Sequence, residues 1–175
     1  EKPQAPEKPG DNASQAELSE YTGALYRYNK QTRIYEKSIE ALAKLGALMI
    51  FTLPGMPCIY YGDEAGMEGY RDPFNRACYP WGREDVELLE HYKRLGALRS
   101  SCPALRLGDI QFFQAGDKHL GFTRSYNGKT VKIYANRSGD SWEIPYGKIL
   151  LGYNLQTVAS DCLVLGPRGF CITEG

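Results

Sequence analysis

The stretch Leu53–Trp81, LPGMPCIYYGDEAGMEGYRDPFNRACYPW, constrains this chain more than any other part of it. Pro54 and Pro57 flank a tight bend and stop any helix arriving from the N-terminal side. Met56 to Gly62 is too short and too rich in β-formers for a helix, so it reads as a strand buried on both faces, as in a parallel sheet. From Asp63 to Gly82 five glycines and prolines break both periodicities, which makes a loop. A buried strand emptying into a polar loop is the layout of an α/β active-site edge. One such strand is not a fold, because a parallel strand needs parallel neighbours and no other segment supplies them. The chain is therefore expected to be the tail of something larger.

The flanking segments fit that view. Glu1 to Ala13, EKPQAPEKPGDNA, is too proline-dense for helix or strand and reads as a linker or surface loop. Ser14 is a plausible N-cap for a short helix carrying Leu18, Tyr21, Leu25 and Tyr28. A stronger helix is expected from about Thr32 to Phe51, with Ile34, Ile39, Leu42, Leu45, Leu48 and Met49 at helical spacing. Its last two turns are apolar all round, as in a helix entering an interior. After the loop, Glu84-Asp85 suits a helix start, and Val86, Leu89, Tyr92, Leu95 and Leu98 form an apolar stripe that ends at Ser100–Pro103.

From Leu107 the pattern becomes β. Seven short runs are expected as strands: Asp109–Ala115, His119–Tyr126, Thr130–Asn136, Ser141–Ile144, Lys148–Leu151, Asp161–Leu165 and Phe170–Thr173. Asn127-Gly128 between two of them is a hairpin turn, because both turn positions want positive φ. Val131, Ile133 and Ala135 alternate with Lys132 and Tyr134. The expected fold class is α+β: helices and one strand of parallel-sheet type, followed by an antiparallel β-sandwich of roughly seven strands, with a boundary near Leu105.

Composition narrows function. Lys plus Arg and Asp plus Glu number 21 each, so the net charge is zero, which argues against nucleic acid and anionic membranes as partners. The apolar run Leu45–Tyr61 is broken by Gly46, Pro54, Gly55 and Pro57 and makes a poor membrane span. Five cysteines without a CxxC spacing signal neither a zinc site nor a disulfide framework. Scattered thiols suit a reducing compartment, so a cytoplasmic location is expected. The opening Glu1-Lys2-Pro3 has no signal-peptide character. His91 and His119 have no partner at a metal spacing, and no cofactor fingerprint occurs, so neither a metal nor a cofactor is expected. Thirteen tyrosines and two tryptophans suit sugar faces, and equally suit cores and interfaces.

Asp63, Glu64, Glu68 and Asp72 crowd the loop. Paired carboxylates are what glycosidic hydrolysis needs. Asp63 and Glu64 are adjacent at a strand end, however, and neighbours there point to opposite sides, so they are not expected to form an acid–base pair. One is expected to brace the loop. Asp72 and Arg76, four apart, suit either mutual pairing or binding of vicinal hydroxyls, and Asn75 adds an amide donor and acceptor.

The run Pro54-Gly55-Met56-Pro57-Cys58-Ile59-Tyr60-Tyr61-Gly62-Asp63-Glu64-Ala65-Gly66-Met67, followed by Asp72-Pro73-Phe74-Asn75-Arg76 and Pro80-Trp81, resembles the eighth-strand region of the α-amylase family of glycoside hydrolases. It looks most like the neopullulanase, cyclomaltodextrinase and maltogenic-amylase branch, and the resemblance covers about Ile39 to Gly175. It implies that the α+β chain is the last β/α unit of a TIM barrel followed by the β-sandwich, with a variable insertion over 1–31, the end of a (β/α)8 barrel over 32–104 and a C-terminal β-domain over 105–175. It further implies a retaining mechanism with an aspartate nucleophile, a glutamate acid/base and a second aspartate, all on earlier barrel strands. None of their motifs occurs in this sequence, so the isolated chain is expected to be inactive. The resemblance implies that Asp72 and Arg76 bind glucose units on the non-reducing side and that Tyr61, with Gly62, shapes the cleft floor; Asn75 joins them as a substrate-binding candidate. The implied partners are an α-glucan oligosaccharide and the rest of the barrel. Two other readings remain for the β-domain: a sugar-binding module with Trp142, Tyr146 and Tyr153 as a stacking platform, and a purely structural brace for the last helix.

Overall fold

The computed structural model describes every residue except Asp11, Tyr70, Phe74, Ser160 and Asp161; the expected start of a strand at Asp161 thus lies outside the described residues. The chain divides into two compact units, Glu1–Ala41 and Leu42–Gly175.

In the first unit the proline-rich start has no regular element up to Gly10. Helix α1, Gln15–Thr52, begins at the expected cap. The Ser14 hydroxyl accepts the Glu17 N–H at 3.3 Å, and the Glu17 carboxylate accepts the Ser14 N–H at 2.7 Å, a reciprocal capping box. Contact with Ser14 holds the Glu17 carboxyl below the usual range, as a capping acid at the positive helix end should be. The two helices expected on either side of residue 30 are one. No proline lies between Ser14 and Pro54, and Gly23 and Gly46 cost too little to break a helix whose other residues are adequate formers. Ile34 and Ile39 are exposed rather than part of a buried stripe.

The second unit holds the end of α1, a single-turn helix at Asp63–Ala65, α2 (Val86–Ser101), α3 (Pro103–Leu107) and six strands. Leu45, Leu48 and Phe51 of α1 are buried, as the loss of a polar face implied. The Asp85 carboxylate caps α2 by accepting the Leu88 N–H at 3.0 Å. The buried face of α2 is Leu88, His91, Tyr92, Leu95 and Arg99. It differs from the expected stripe, for Val86 is exposed and an arginine and a histidine lie inside. Both are buried because they satisfy α1. His91 Nε2 donates to the Lys44 carbonyl at 3.1 Å. Arg99 donates to the carbonyls of Phe51 at 2.6 Å, Leu53 at 3.3 Å, and Gly55.

The strands are β1 (Asp109–Ala115), β2 (His119–Tyr126), β3 (Lys129–Asn136), β4 (Trp142–Pro145), β5 (Lys148–Ala159) and β6 (Cys162–Glu174), all paired antiparallel. Asn127 and Gly128 turn β2 into β3 with φ of 49° and 76°, the mirror-image turn their sequence demanded. Among the described residues there are six strands and not seven. The Gly166–Gly169 segment, expected as a turn, is an unpaired bulge inside β6. Asn154 Nδ2 and Asn136 Nδ2 hold it through the carbonyls of Pro167 at 2.7 Å and Gly166 at 2.9 Å. Beyond the bulge β6 pairs with β3; before it, with β4. The β4 arm thereby crosses the outer face of β2 and β3, with which it shares no ladder: Trp142 stacks on His119 at 4.5 Å and meets Tyr134 at 5.8 Å. A sandwich results from one sheet bent over itself. Phe122, Val131, Ile133, Phe170 and Ile172 pack with the helices in one core, and Tyr134, Ile144, Leu163, Leu165 and Cys171 form the other.

The expected strand at Met56–Gly62 is not formed. Met56 is 91% exposed, and Cys58, Ile59, Tyr60 and Tyr61 face outward. The physical reason is the one the sequence raised: a parallel strand has no ladder without parallel neighbours.

Arg124, 1% exposed, donates to Thr52 O at 2.5 Å and twice to Gly108 O, at 3.2 and 2.8 Å. Arg124→Met should cost about 3 kcal/mol, because buried carbonyls lose charged donors. Arg124→Lys, which lacks the planar fork, should fall between the two. Urea unfolding midpoints check both. Burial also depresses His91, which lies between Phe170 and α1 near Lys44, Arg94 and Glu87. The unfolded chain then takes up a proton that the folded chain refuses, so stability is full above pH about 6.5 and declines as pH falls below it. Unfolding free energies between pH 7.5 and 5.5 should show this slope, and His91→Gln should flatten it.

Candidate functional site

The chemistry-bearing loop leaves the unformed strand through Gly62 and returns through Trp81. Gly62 and Gly66, at φ of 91° and 71°, bracket the single helical turn Asp63–Ala65. A side chain at Gly62 would strike the Met67 thioether, so both the left-handed backbone and the close approach require glycine. The base of the loop is fixed to α2: Ala65 O accepts the Asp85 N–H at 3.0 Å, beside the carboxylate that caps that helix.

Of the adjacent carboxylates, Glu64 is the brace. Its Oε2 accepts the Gly62 N–H at 3.0 Å. Desolvation first, and then this carboxylate, push the Tyr79 hydroxyl above the usual phenol range. Asp63 is exposed. With Glu64 committed to the loop, the two do not present paired carboxyls to one bond.

Tyr61 is half-exposed, stands beside Tyr60 with ring centres 5.0 Å apart, and donates its hydroxyl to Ala77 O at 3.0 Å. Asp72 and Arg76 are both exposed and paired, Oδ1 to Nε 2.8 Å. An exposed pair of this kind contributes little stability. It presents a carboxylate and a guanidinium side by side at the surface. Asn75, between them in sequence, is half-buried, and its Oδ1 is buried without a hydrogen-bond partner. Such an atom is costly unless something else completes it.

An open recess of about 350 Å³ lies between the two limbs of the loop, lined by Ala65, Gly66, Met67, Glu68, Ala77, Cys78, Pro80 and Arg83. None of Tyr61, Asp72, Asn75 and Arg76 lines it. Tyr61 reaches only the carbonyl of Ala77 on its wall. Sequence reasoning missed Tyr79 and Arg83, whose roles depend on how the return limb folds back. Trp81, 80% exposed, lies 4.5 Å from Tyr79, ring centre to ring centre.

The rings considered as a platform in the β-domain do not share a face. Trp142 belongs to the outer core, Tyr153 stacks on Phe170 in the inner core with the Lys44 ammonium over its ring, and only Tyr146 is exposed. Among the described residues no cluster of three His, Cys, Asp or Glu gathers as a metal site would, and no helix is long and apolar enough to cross a membrane.

No family model matches the sequence. Individual proteins do. The cyclomaltodextrinase of Geobacillus thermopakistaniensis is 41% identical over 143 residues, covering 74% of this chain and 24% of that protein. Among solved structures, the debranching enzyme of Nostoc punctiforme superposes with a TM-score of 0.68 at 29% identity, over 77% of this chain and 31% of that one. The maltogenic amylase of S. marinus superposes at 0.65 with 36% identity, over 77% and 19%. The fold is that of helices leading into the C-terminal β-domain of amylase-family enzymes. The chain is a relative of the α-amylase family of glycoside hydrolases, similar in particular to its cyclomaltodextrinase and maltogenic-amylase members. It spans about a quarter of the length of the cyclomaltodextrinase it matches.

All five cysteines are free, with Cys58 and Cys78 exposed and Cys171 buried. Burial pushes the Cys171 thiol up to about 12. The thiolate is the reactive form. A maleimide at pH 7.5 is therefore expected to label Cys58 and Cys78 in the folded chain and Cys171 only after denaturation, as peptide mass mapping would show.

Proposed function

We propose that this chain is the C-terminal part of a retaining glycosidase that acts on α-glucans, cleaving α-1,4 and in some substrates α-1,6 links in maltooligosaccharides, cyclodextrins or pullulan. Within it, residues 32–104 complete a (β/α)8 barrel and residues 105–175 brace its last helix. The loop carries a wall of the sugar cleft: Asp72, Arg76 and Asn75 take glucose hydroxyls, and Tyr61 shapes the floor. The nucleophile and acid/base belong to barrel strands outside this sequence, and the protein works in the cytoplasm.

The observation that carries this reading is the loop tip. An exposed carboxylate and an exposed guanidinium stand paired there, and they are the acceptor and donor that neutral vicinal hydroxyls need. Support also comes from the relatives: the Nostoc debranching enzyme, 30% identical in that structure, has been solved after soaking with acarbose. The outward-facing Cys58–Tyr61 segment suits a strand that pairs with barrel neighbours. The rival reading, a sugar platform on the β-domain, is disfavoured by the dispersal of Trp142 and Tyr153 into separate cores.

Two measurements on the 175-residue chain test the proposal. Pure chain should not turn over a chromogenic maltoside; sustained release of nitrophenol would remove the premise that catalysis lies elsewhere. Maltopentaose should give saturable amide shifts at Asn75 and Arg76 in a nitrogen–proton correlation titration, lost in Arg76→Ala. Saturable shifts at Tyr146 and none at the loop would favour the β-domain reading instead.

A further inference from the structure

The first unit, Glu1–Ala41, holds one helix or strand among its described residues, the N-terminal part of α1. No described residue before Ala41 is buried. A helix in water draws most of its stability from a packed face rather than from propensity, so this segment lacks its main support. Its apolar residues follow one spacing. Leu18, Tyr21, Leu25, Tyr28, Tyr35 and Ile39, with Thr32 in the one polar place, recur at alternating steps of three and four residues. That is a heptad seam, with Leu18, Leu25, Thr32 and Ile39 at position a and the three tyrosines at d. Leu18 is 44% and Ile39 49% exposed, and the seam residues between them are half-buried. Charge keeps to the other face: every Lys and Arg between Gln15 and Ala41, together with Glu20 and Glu40, falls at b, c or f. Within the seam, Thr32 Oγ1 is sealed from water and has no hydrogen-bond partner. A polar atom in that state is costly until something completes it.

We propose that this part of α1 pairs with the same segment of a second copy of the chain, as a parallel, in-register, two-stranded coiled coil. Two observations choose that occupant. In a parallel pair in register each a residue meets its own copy, so the two Thr32 hydroxyls come together, and a hydroxyl both donates and accepts. Reversing one helix, or sliding it by a heptad, sets each hydroxyl against a ring or a hydrocarbon instead. The flanking positions also tolerate self-pairing. Across the seam Ala24 meets Asn29 and Gln31 meets Glu36, so no like charges face each other. The β-branched Thr32 and Ile39 at a suit two strands, and the tyrosines at d bury their rings while their hydroxyls reach water. The polar residue at a costs some stability and fixes the register.

Sedimentation equilibrium of the 175-residue chain tests this. The chain should reach twice the mass of one copy as concentration rises and dissociate on dilution. Leu25→Ala puts the best helix former into the seam and should weaken the dimer at least about tenfold, through lost burial rather than lost helicity. Ile34→Ala makes a like change on the opposite face, where Ile34 is 61% exposed, and should leave the dimer Kd within about twofold. Register is read by oxidative cross-linking. Tyr28→Cys should give a covalent dimer joined between position 28 of the two copies, and Tyr26→Cys, at an outward b position, should not. Peptide mass mapping separates that link from any made through the five native cysteines. A chain that stays monomeric at every concentration, or equal weakening by Leu25→Ala and Ile34→Ala, overturns the coiled coil. A threefold mass overturns the two-stranded form, and a dimer in which Tyr28→Cys forms no 28-to-28 link overturns the parallel register.

Discussion

Helix α1 ends inside the second unit with its last carbonyls unpaired and a proline that forbids another turn. Those carbonyls are the point on which the unit depends. No basic residue lies in the helix's own last turn. The donors come instead from Arg99 on α2 and Arg124 on β2, some 48 and 72 residues further along. A helix terminus buried without donors would cost several kcal/mol, so α1 can enter the core only if both elements are in place. The same two guanidiniums bind α2, α3 and β2 to one another, because Arg124 also holds Gly108 after α3. Burial lowers the proton affinity of both, Arg124 further under the influence of Arg99. They keep their charge because carbonyl oxygens replace the water they lost.

That junction places the loop. The end of α1, closed by Arg99 as far as Gly55, launches the chain toward Gly62, and the Asp85 cap of α2 receives it back. The loop is therefore slung between two helices that each bury one face in the core. Its own order comes from short-range ties at the base. The Asp72–Arg76 pair that it carries is exposed. A cleaving pair needs two carboxyls facing one atom, and Glu64 is committed to the Gly62 N–H.

Much of this was legible in the residues. Ser14, Pro54, Glu84-Asp85 at the start of α2, and Asn127-Gly128 act within a few residues of themselves, so their effects can be read without knowing the fold. The order of motifs from Pro54 to Trp81 was specific enough to name the family before any coordinates. The merging of two helices into α1 was obscured because Gly23 and the polar stretch near residue 30 weaken periodicity without breaking a backbone ladder. Arg99 and Arg124 could not be found by hydropathy, for a charged residue in an apolar pattern is read as facing water unless its distant carbonyl partners are known. The bulge at Gly166–Gly169 was read as a turn because bulges and turns want the same residues, and only the pairing on either side separates them.

What the sequence by itself determined is therefore local and motif-bound: helix starts and stops, the hairpin, and a loop similar to that of cyclomaltodextrinases and maltogenic amylases. Tertiary structure decided which polar groups are inside, that one sheet bends back to cover both of its faces, and that Glu64 braces rather than faces Asp63 across a substrate. It also decided against the strand at Met56–Gly62. Hydrogen-bond ladders and buried charges are satisfied by partners far away in the chain, or outside it, and no window of sequence contains both halves of such a contact.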